Sequence, residues 1–195
     1  MDDAPTKDRR IQKTRTLLLE AIGALVHEKP YEQIVIKEIL HHANVGRSTF
    51  YEHFRDKDEL LSGAMRDLLR RSLNAGSTGS RAERVLRFSR PIFEHIEHRR
   101  NAAGLDSDTR AKLALHERLK SELAQLLLGE LELAVRECTV PHGGMPNELL
   151  ARHVSSSFVM VLDWWVEGRS RLTAAEVDSL FRALALPALS QALGR

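Results

Sequence analysis

Seven consecutive residues, Arg47 to His53, carry the side chains best suited to meet a polar partner. Arg47, Ser48, Thr49, Tyr51, Glu52 and His53 offer donors, acceptors and both signs of charge, with only Phe50 apolar among them. The chemistry on offer is recognition. A short polar helix held out by a small apolar base is what a helix-turn-helix presents to the DNA major groove. The same residues would equally serve a plain structural corner, so the elements around them decide.

Those elements lie in Ile36 to Lys57, IKEILHHANVGRSTFYEHFRDK. The pattern predicts a helix from about Ile36 to His42, a turn at Ala43-Asn44-Val45-Gly46, and a second helix from about Arg47 to Phe54. Asn44 stands where the turn needs a left-handed residue, which Asn tolerates better than most. Ile36, Ile39, Leu40, Val45, Phe50 and Phe54 are the apolar set that would lock the pair together. Asp56 then caps a third helix, with Glu59 in the capping-box position. Ahead of the motif, Thr6 caps a helix running to about His27, whose buried stripe is Ile11, Leu18, Ala21, Ile22, Leu25 and Val26. Its first turns hold Lys7, Arg9, Arg10, Lys13 and Arg15 against Asp8 alone. That charge opposes the helix dipole, so it serves phosphates or is a solvated face.

The chain has 195 residues, room for one large domain or two small ones. It is 43% hydrophobic and 29% charged, a globular composition. With 5% aromatics, abundant Leu and Ala and no convincing strand pattern, an all-α fold is expected. The net charge is only +2, so nucleic-acid affinity must come from local charge placement. The lone cysteine, Cys138, excludes an internal disulfide and a four-thiolate metal site. A polar N-terminus without a signal peptide and the lack of any membrane-length apolar run point to the cytoplasm and to no membrane partner.

The small polar run Ala75 to Ser80 is the best boundary. It divides an N-terminal domain, residues 6–74, from a larger helical domain, residues 81–195. The latter reads as helices over Arg81–Arg99 with Pro91 as a kink, over Asp108 to about Cys138, over Asn147 (as cap) to Glu167, and from a Thr173 cap with Glu176 in the box position to about Leu193, bent or broken late by Pro187. The last two helices are apolar on more than one side, and such helices need cover on most sides. A second copy would supply it through Val154, Phe158, Val161, Trp165, Val177, Phe181 and Leu184, as a four-helix interface. An internal core is the other explanation.

The run from Thr14 to Leu61 resembles the DNA-binding domain of the TetR family of bacterial transcriptional regulators. The residues that carry this are Ile39, Ala43-Asn44-Val45, Ser48 through Phe54, and Asp56 through Leu61. The resemblance implies an N-terminal helix-turn-helix domain joined to a C-terminal helical ligand-binding and dimerisation domain. It implies a homodimer on a palindromic double-stranded DNA operator, usually a repressor, with a small-molecule effector in many members and no cofactor. Asp163-Trp164-Trp165-Val166-Glu167 also looks like the end of a family dimerisation helix. Position by position, Arg47 and Ser48 open the recognition helix, where Arg can pair bidentately with guanine. Thr49 and Tyr51 fit base-methyl or phosphate contacts, and His53 and Lys57 match phosphate-holding positions. Val35 stands where the family often has a phosphate-touching Thr, so that role is absent here or passes to Lys37. Glu52 would repel phosphates unless it accepts from a cytosine amino group.

Effector-site candidates on the central helices are Phe88, Phe93, His95, Ile96, His116, Leu119, Met160 and Trp164, a set that plain core packing also explains. Glu94, His95, Glu97 and His98 hold metal-ligand types, with the two His three apart, but read as a solvated helix end. A helical metal-dependent enzyme would use that cluster. The chain lacks a Gly-rich phosphate loop, a nucleophile elbow and a paired metal-ligand motif, so no enzyme and no metal are expected. A regulator answering to a protein partner instead of a small ligand is the main alternative, and a closed apolar pocket beside the central helices would discriminate the two.

Overall fold

The computed structural model describes residues 4–73, 79–102, 109–136, 145–168 and 170–194. Among them every regular element is helical, in agreement with the all-α expectation. Two compact units form, Met1–Met65 with Leu105–Leu115, and Arg66–Gly104 with His116–Arg195. The boundary expected at residues 75–80 falls mostly on undescribed residues, and the units divide inside the fourth helix, after Met65. Cys138 and the loop expected at 139–146 lie largely outside the described residues.

The first unit holds α1 (Ala4–Glu28), a 3-10 turn (Tyr31–Gln33), α2 (Ile36–Ala43), α3 (Arg47–His53) and the start of α4 (Lys57–Leu73). Helix α1 begins at Ala4, so Thr6 sits inside it and not at its cap. Leu18, Ile22, Ile34, Ile39, Phe50 and Leu60 form the fully buried centre of its core. Ile11, expected in the buried stripe, is exposed; from Arg9 onward the first buried residue of α1 is Leu18, about two turns after Ile11. Gly63 marks a close approach of α4, since a Cβ there would lie 3.2 Å from Leu19 and 3.3 Å from Phe54.

The second unit holds the rest of α4, then α5 (Arg81–Val85), α6 (Ser89–Ala102), most of α7 (Thr109–Arg136), α8 (Asn147–Glu167) and α9 (Ala174–Leu193). The expected helix Arg81–Arg99 is two helices, and the break falls at Leu86–Phe88 instead of at Pro91. Pro91 sits in the first turn of α6, where a missing N–H costs no helical bond. The break is held from afar. Ser89 Oγ donates to Leu86 O at 2.8 Å and to Asp178 of α9, Arg182 Nη2 donates to Leu86 O at 3.0 Å, and Arg182 Nε pairs with Asp178 at 2.8 Å. Asn147 is the first residue of α8, whose N-cap Pro146 has no side-chain cap, so the expected Asn cap is replaced. Thr173 does cap α9, receiving the Glu176 N–H at 3.3 Å while Glu176 accepts the Thr173 N–H at 2.8 Å. The Thr173 N–H and hydroxyl, both donating to Glu176 Oε2 at 2.8 Å, hold the Glu176 carboxyl below its usual range. Helix α9 continues past Pro187 to Leu193.

Five rings fill the second core. Phe158 lies 4.8 Å from Phe93, 5.2 Å from Phe88 and 5.3 Å from Phe181, centroid to centroid, and Trp165 packs on Phe93 at 5.8 Å. Val154, Phe158, Val161, Trp165, Val177 and Phe181 are all buried within the one chain. Of the seven residues expected at a dimer interface, these six pack inside the single chain and Leu184 is exposed.

Candidate nucleic-acid interface

The motif closes as its sequence requires. Asn44 adopts φ 51° and ψ 49°, the one non-glycine residue at positive φ among those described, and the chain reverses there without strain. Helix α3 follows at Arg47, one residue shorter than expected, with Phe54 as its extended C-cap. Phe50 is fully buried, touching Phe54 at 6.2 Å between centroids, and the Arg15 guanidinium covers Phe54 at 5.5 Å. Ile36, Leu40 and Val45 pack partly buried against the same core. A single buried aromatic on α3 leaves its remaining faces turned outward.

Those faces carry the expected residues. Arg47, Ser48, Tyr51 and Glu52 are exposed, and Thr49 and His53 are partly buried. The Arg47 guanidinium lies 5.9 Å from the Tyr51 ring centroid, a cation–π pair one helical turn apart. Such a pair at an exposed site is worth only about 0.5–1 kcal/mol, so a base edge or phosphate can draw Arg47 away. The Glu52 carboxylate makes no hydrogen bond or ion pair among the described residues. Arg9, Arg10 and Lys13 on α1 are exposed as well.

Both flanks of the motif are capped by carboxylates. Glu59 N–H donates to Asp56 Oδ1 at 2.8 Å, and Arg55 N–H donates to Glu59 Oε2 at 2.8 Å, one residue before the expected return bond. The Glu59 amide holds the Asp56 carboxyl below its usual range. At α2, Glu38 accepts the Val35 N–H at 3.0 Å, but the Val35 side chain has no oxygen to accept in return, so the box is half made and the Glu38 N–H goes to the Val35 carbonyl at 3.0 Å. Lys29 pairs with Glu38, and this pair with the Val35 amide lowers the Glu38 carboxyl. Val35 is 52% exposed beside Lys37 and Arg47, in an open groove of about 600 Å³ whose floor includes Ile34 and Leu40.

Lys57, expected to hold a phosphate, has partners within the chain. Its ammonium donates to Ile34 O at 2.9 Å and Tyr31 O at 3.1 Å, and stands 4.4 Å over the Tyr31 ring. Tyr31 Oη donates to Asp58 Oδ1 at 2.6 Å. Sequence reasoning missed the Tyr31–Asp58 bond, the Lys29–Glu38 pair and the cover of Phe54 by Arg15, a residue read there only as part of a basic run. Their partners lie far along the chain, and no local spacing signals them.

The effector candidates are not gathered around one site. Phe88 and Phe93 belong to the ring cluster, Ile96 and Leu119 pack against that core, and His95 is partly buried. His116 Nδ1 lies 2.5 Å from Asp163 Oδ1. Met160 and Trp164, at 56% and 51% exposure, occupy the outer side of α8. In the cluster considered for metal, Glu94 pairs with Arg90 at 2.7 Å and Glu97 accepts the Ala174 N–H at 3.0 Å. Among the described residues no helix is long and apolar enough to cross a membrane.

Residues 18–64 match the family model described as bacterial regulatory proteins, tetR family. The HTH-type transcriptional regulator YxbF of Bacillus subtilis (strain 168) is 40% identical over 55 residues. That match takes in 28% of this chain but only 14% of YxbF, so it speaks for the helix-turn-helix segment alone. The HTH-type transcriptional repressor KstR2 of Rhodococcus jostii (strain RHA1) is 26% identical over 203 residues, 97% of this chain and 95% of KstR2. A crystal structure of a TetR transcriptional regulator from Streptococcus agalactiae 2603V is similar at TM-score 0.56 and 28% identity, over 93% of this chain and 98% of that one. The likeness thus extends from the motif to the helices behind it, and the chain belongs to the TetR family of bacterial transcriptional regulators.

Proposed function

We propose that the protein is a homodimeric repressor that binds a palindromic operator and releases it on binding a small effector. In this reading residues 6–74 serve as the DNA-binding domain and 81–195 as the regulatory and dimerisation domain. The observation that carries it is α3, a helix with one buried aromatic and an outward Arg47, Ser48, Tyr51 and Glu52. Arg47 and Ser48 read base edges, Thr49 and Tyr51 meet thymine methyls or phosphates, and Lys37 and His53 hold phosphates. Glu52 accepts from a cytosine amino group. The repressor sense draws on the likeness to KstR2.

The test is selection of duplexes from a random-sequence pool by the full chain. Inverted repeats with half-sites about 34–36 Å apart, centre to centre, are expected. Recovery of unenriched sequence would sink the proposal. Adding metabolites to the bound complex then looks for release. A protein partner is the alternative release signal, and the ring-on-ring packing at Phe88 and Phe93 favours it. Under the effector reading, the open groove of about 480 Å³ between α7 and α8, with Lys120, Gln125, Arg152 and Ser155 on its walls, is the proposed entry.

The dimer would form through the apolar residues that the single chain leaves out. Met160 and Trp164 lie one turn apart on α8, and Leu180 and Leu184 one turn apart on α9; each is 45–56% exposed. Replacing Trp164 and Leu184 by Glu is expected to give a folded monomer by light scattering, with the helical circular dichroism retained. A dimer persisting at micromolar concentration would remove this surface from the interface.

A further inference from the structure

We infer that Lys57 is a positioning residue, the pin of a clasp that closes the helix-turn-helix at its base, and not a phosphate ligand. The inference rests on the DNA-binding reading above. An ammonium has three donors and no acceptor. Two of them are taken by Ile34 O and Tyr31 O, and the third points toward Glu32 O at 3.5 Å. The Tyr31 ring lies beneath the charge. A phosphate could recruit Lys57 only by stripping it from these carbonyls.

Its position explains why it is held so. A cation in the first turn of a helix meets the positive end of the dipole. Lys57 opens α4, and the carbonyls at the end of the 3-10 turn offset that repulsion. The clasp has a second arm, the Tyr31 hydroxyl on Asp58. Both arms run from residues just before α2 to residues just after α3. The whole motif, residues 35–54, lies inside the loops they close, and closing a loop removes freedom that would otherwise be lost at the moment of docking. Ile34 is also the last residue before the N-cap of α2. Fixing its carbonyl fixes the angle at which α2, and α3 behind it, leave the base.

The test compares the full chain with Lys57→Met and Tyr31→Phe. The probes are the duplex that the unmodified chain selects from the random pool and a scrambled duplex of equal length. Affinity for each is measured across a salt series. Lys57→Met is expected to bind the selected duplex about tenfold more weakly, the loss that follows from hydrogen bonds to a charged group. Its salt slope and its affinity for the scrambled duplex should stay as in the unmodified chain. Tyr31→Phe should lose discrimination in the same direction by a smaller factor, again at constant slope. A phosphate ligand behaves otherwise: its removal lowers the log–log slope by about 0.9 per phosphate and weakens both duplexes alike. That result, or unchanged affinity of either variant for the selected duplex, overturns the inference. If Lys57→Met does not fold, Tyr31→Phe decides alone. Failure of the unmodified chain to select any sequence would sink the DNA-binding reading itself, and the clasp's role with it.

Discussion

Phe158→Ala is expected to destabilise the protein by about 3–5 kcal/mol, enough to unfold the second unit near physiological temperature. The side chain is fully buried and is the hub of the ring cluster, within 5.3 Å of Phe88, Phe93 and Phe181. Its removal forfeits the transfer free energy of a phenyl ring and leaves a cavity lined by rings that cannot collapse without tilting off one another. Edge-to-face pairs add about 0.5–1.5 kcal/mol each beyond area, and two such pairs, with Phe88 and Phe181, vanish together with the tilted pair to Phe93. The outward neighbour Trp164 is the control. Being half exposed, it should cost under about 1 kcal/mol on truncation in a monomer. Thermal or urea melts followed by circular dichroism separate the two. Comparable midpoints for Phe158→Ala and Trp164→Ala would mean that the apolar stripes of α8 are assigned the wrong way round.

That contrast shows where sequence reasoning stopped. Helix α8 carries two apolar stripes, and periodicity identifies both without saying which faces inward. The tertiary partners decide: Phe88, Phe93 and Phe181 lie in the turn before α6, on α6 and on α9, and only their placement draws Phe158 in and leaves Met160 and Trp164 out. Local signals read well. Asn44 at its left-handed turn, Asp56 with Glu59, and Thr173 with Glu176 depend on atoms within three residues, so spacing was sufficient. The break before α6 did not show, because Arg182 and Asp178 hold it from α9, and Pro91 drew attention to the wrong residue. Lys57 illustrates the same limit within the site. Its charge and its place in the motif suggested phosphate, while its carbonyl partners, more than twenty residues earlier, were invisible to any local pattern.

Arg47→Ala combined with Tyr51→Ala should abolish sequence selection while leaving fold and assembly intact. Both residues are exposed. Their truncation removes the cation–π pair they form with each other and the edge of Tyr51 against Phe50 at 5.2 Å. The fold should therefore lose no more than about 1 kcal/mol. Binding loses far more. A good base contact carries about 1–3 kcal/mol of discrimination, and a dimer loses two side chains from each of two recognition helices. Even at about 1 kcal/mol apiece the loss nears a thousandfold in specific affinity. Footprinting on the selected duplex should show protection vanish at concentrations that saturate the unmodified protein, with weak binding to scrambled DNA persisting through Arg9, Arg10, Lys13 and Lys37. The single variants then assign the roles. If Arg47 pairs with a guanine, Arg47→Ala relaxes selection at one symmetric position with little change in salt slope. If it grips phosphate instead, affinity falls across all sequences and the slope drops by about 0.9 for each phosphate released. Unchanged protection by the double variant would mean that α3 does not enter the groove, whatever else binds DNA.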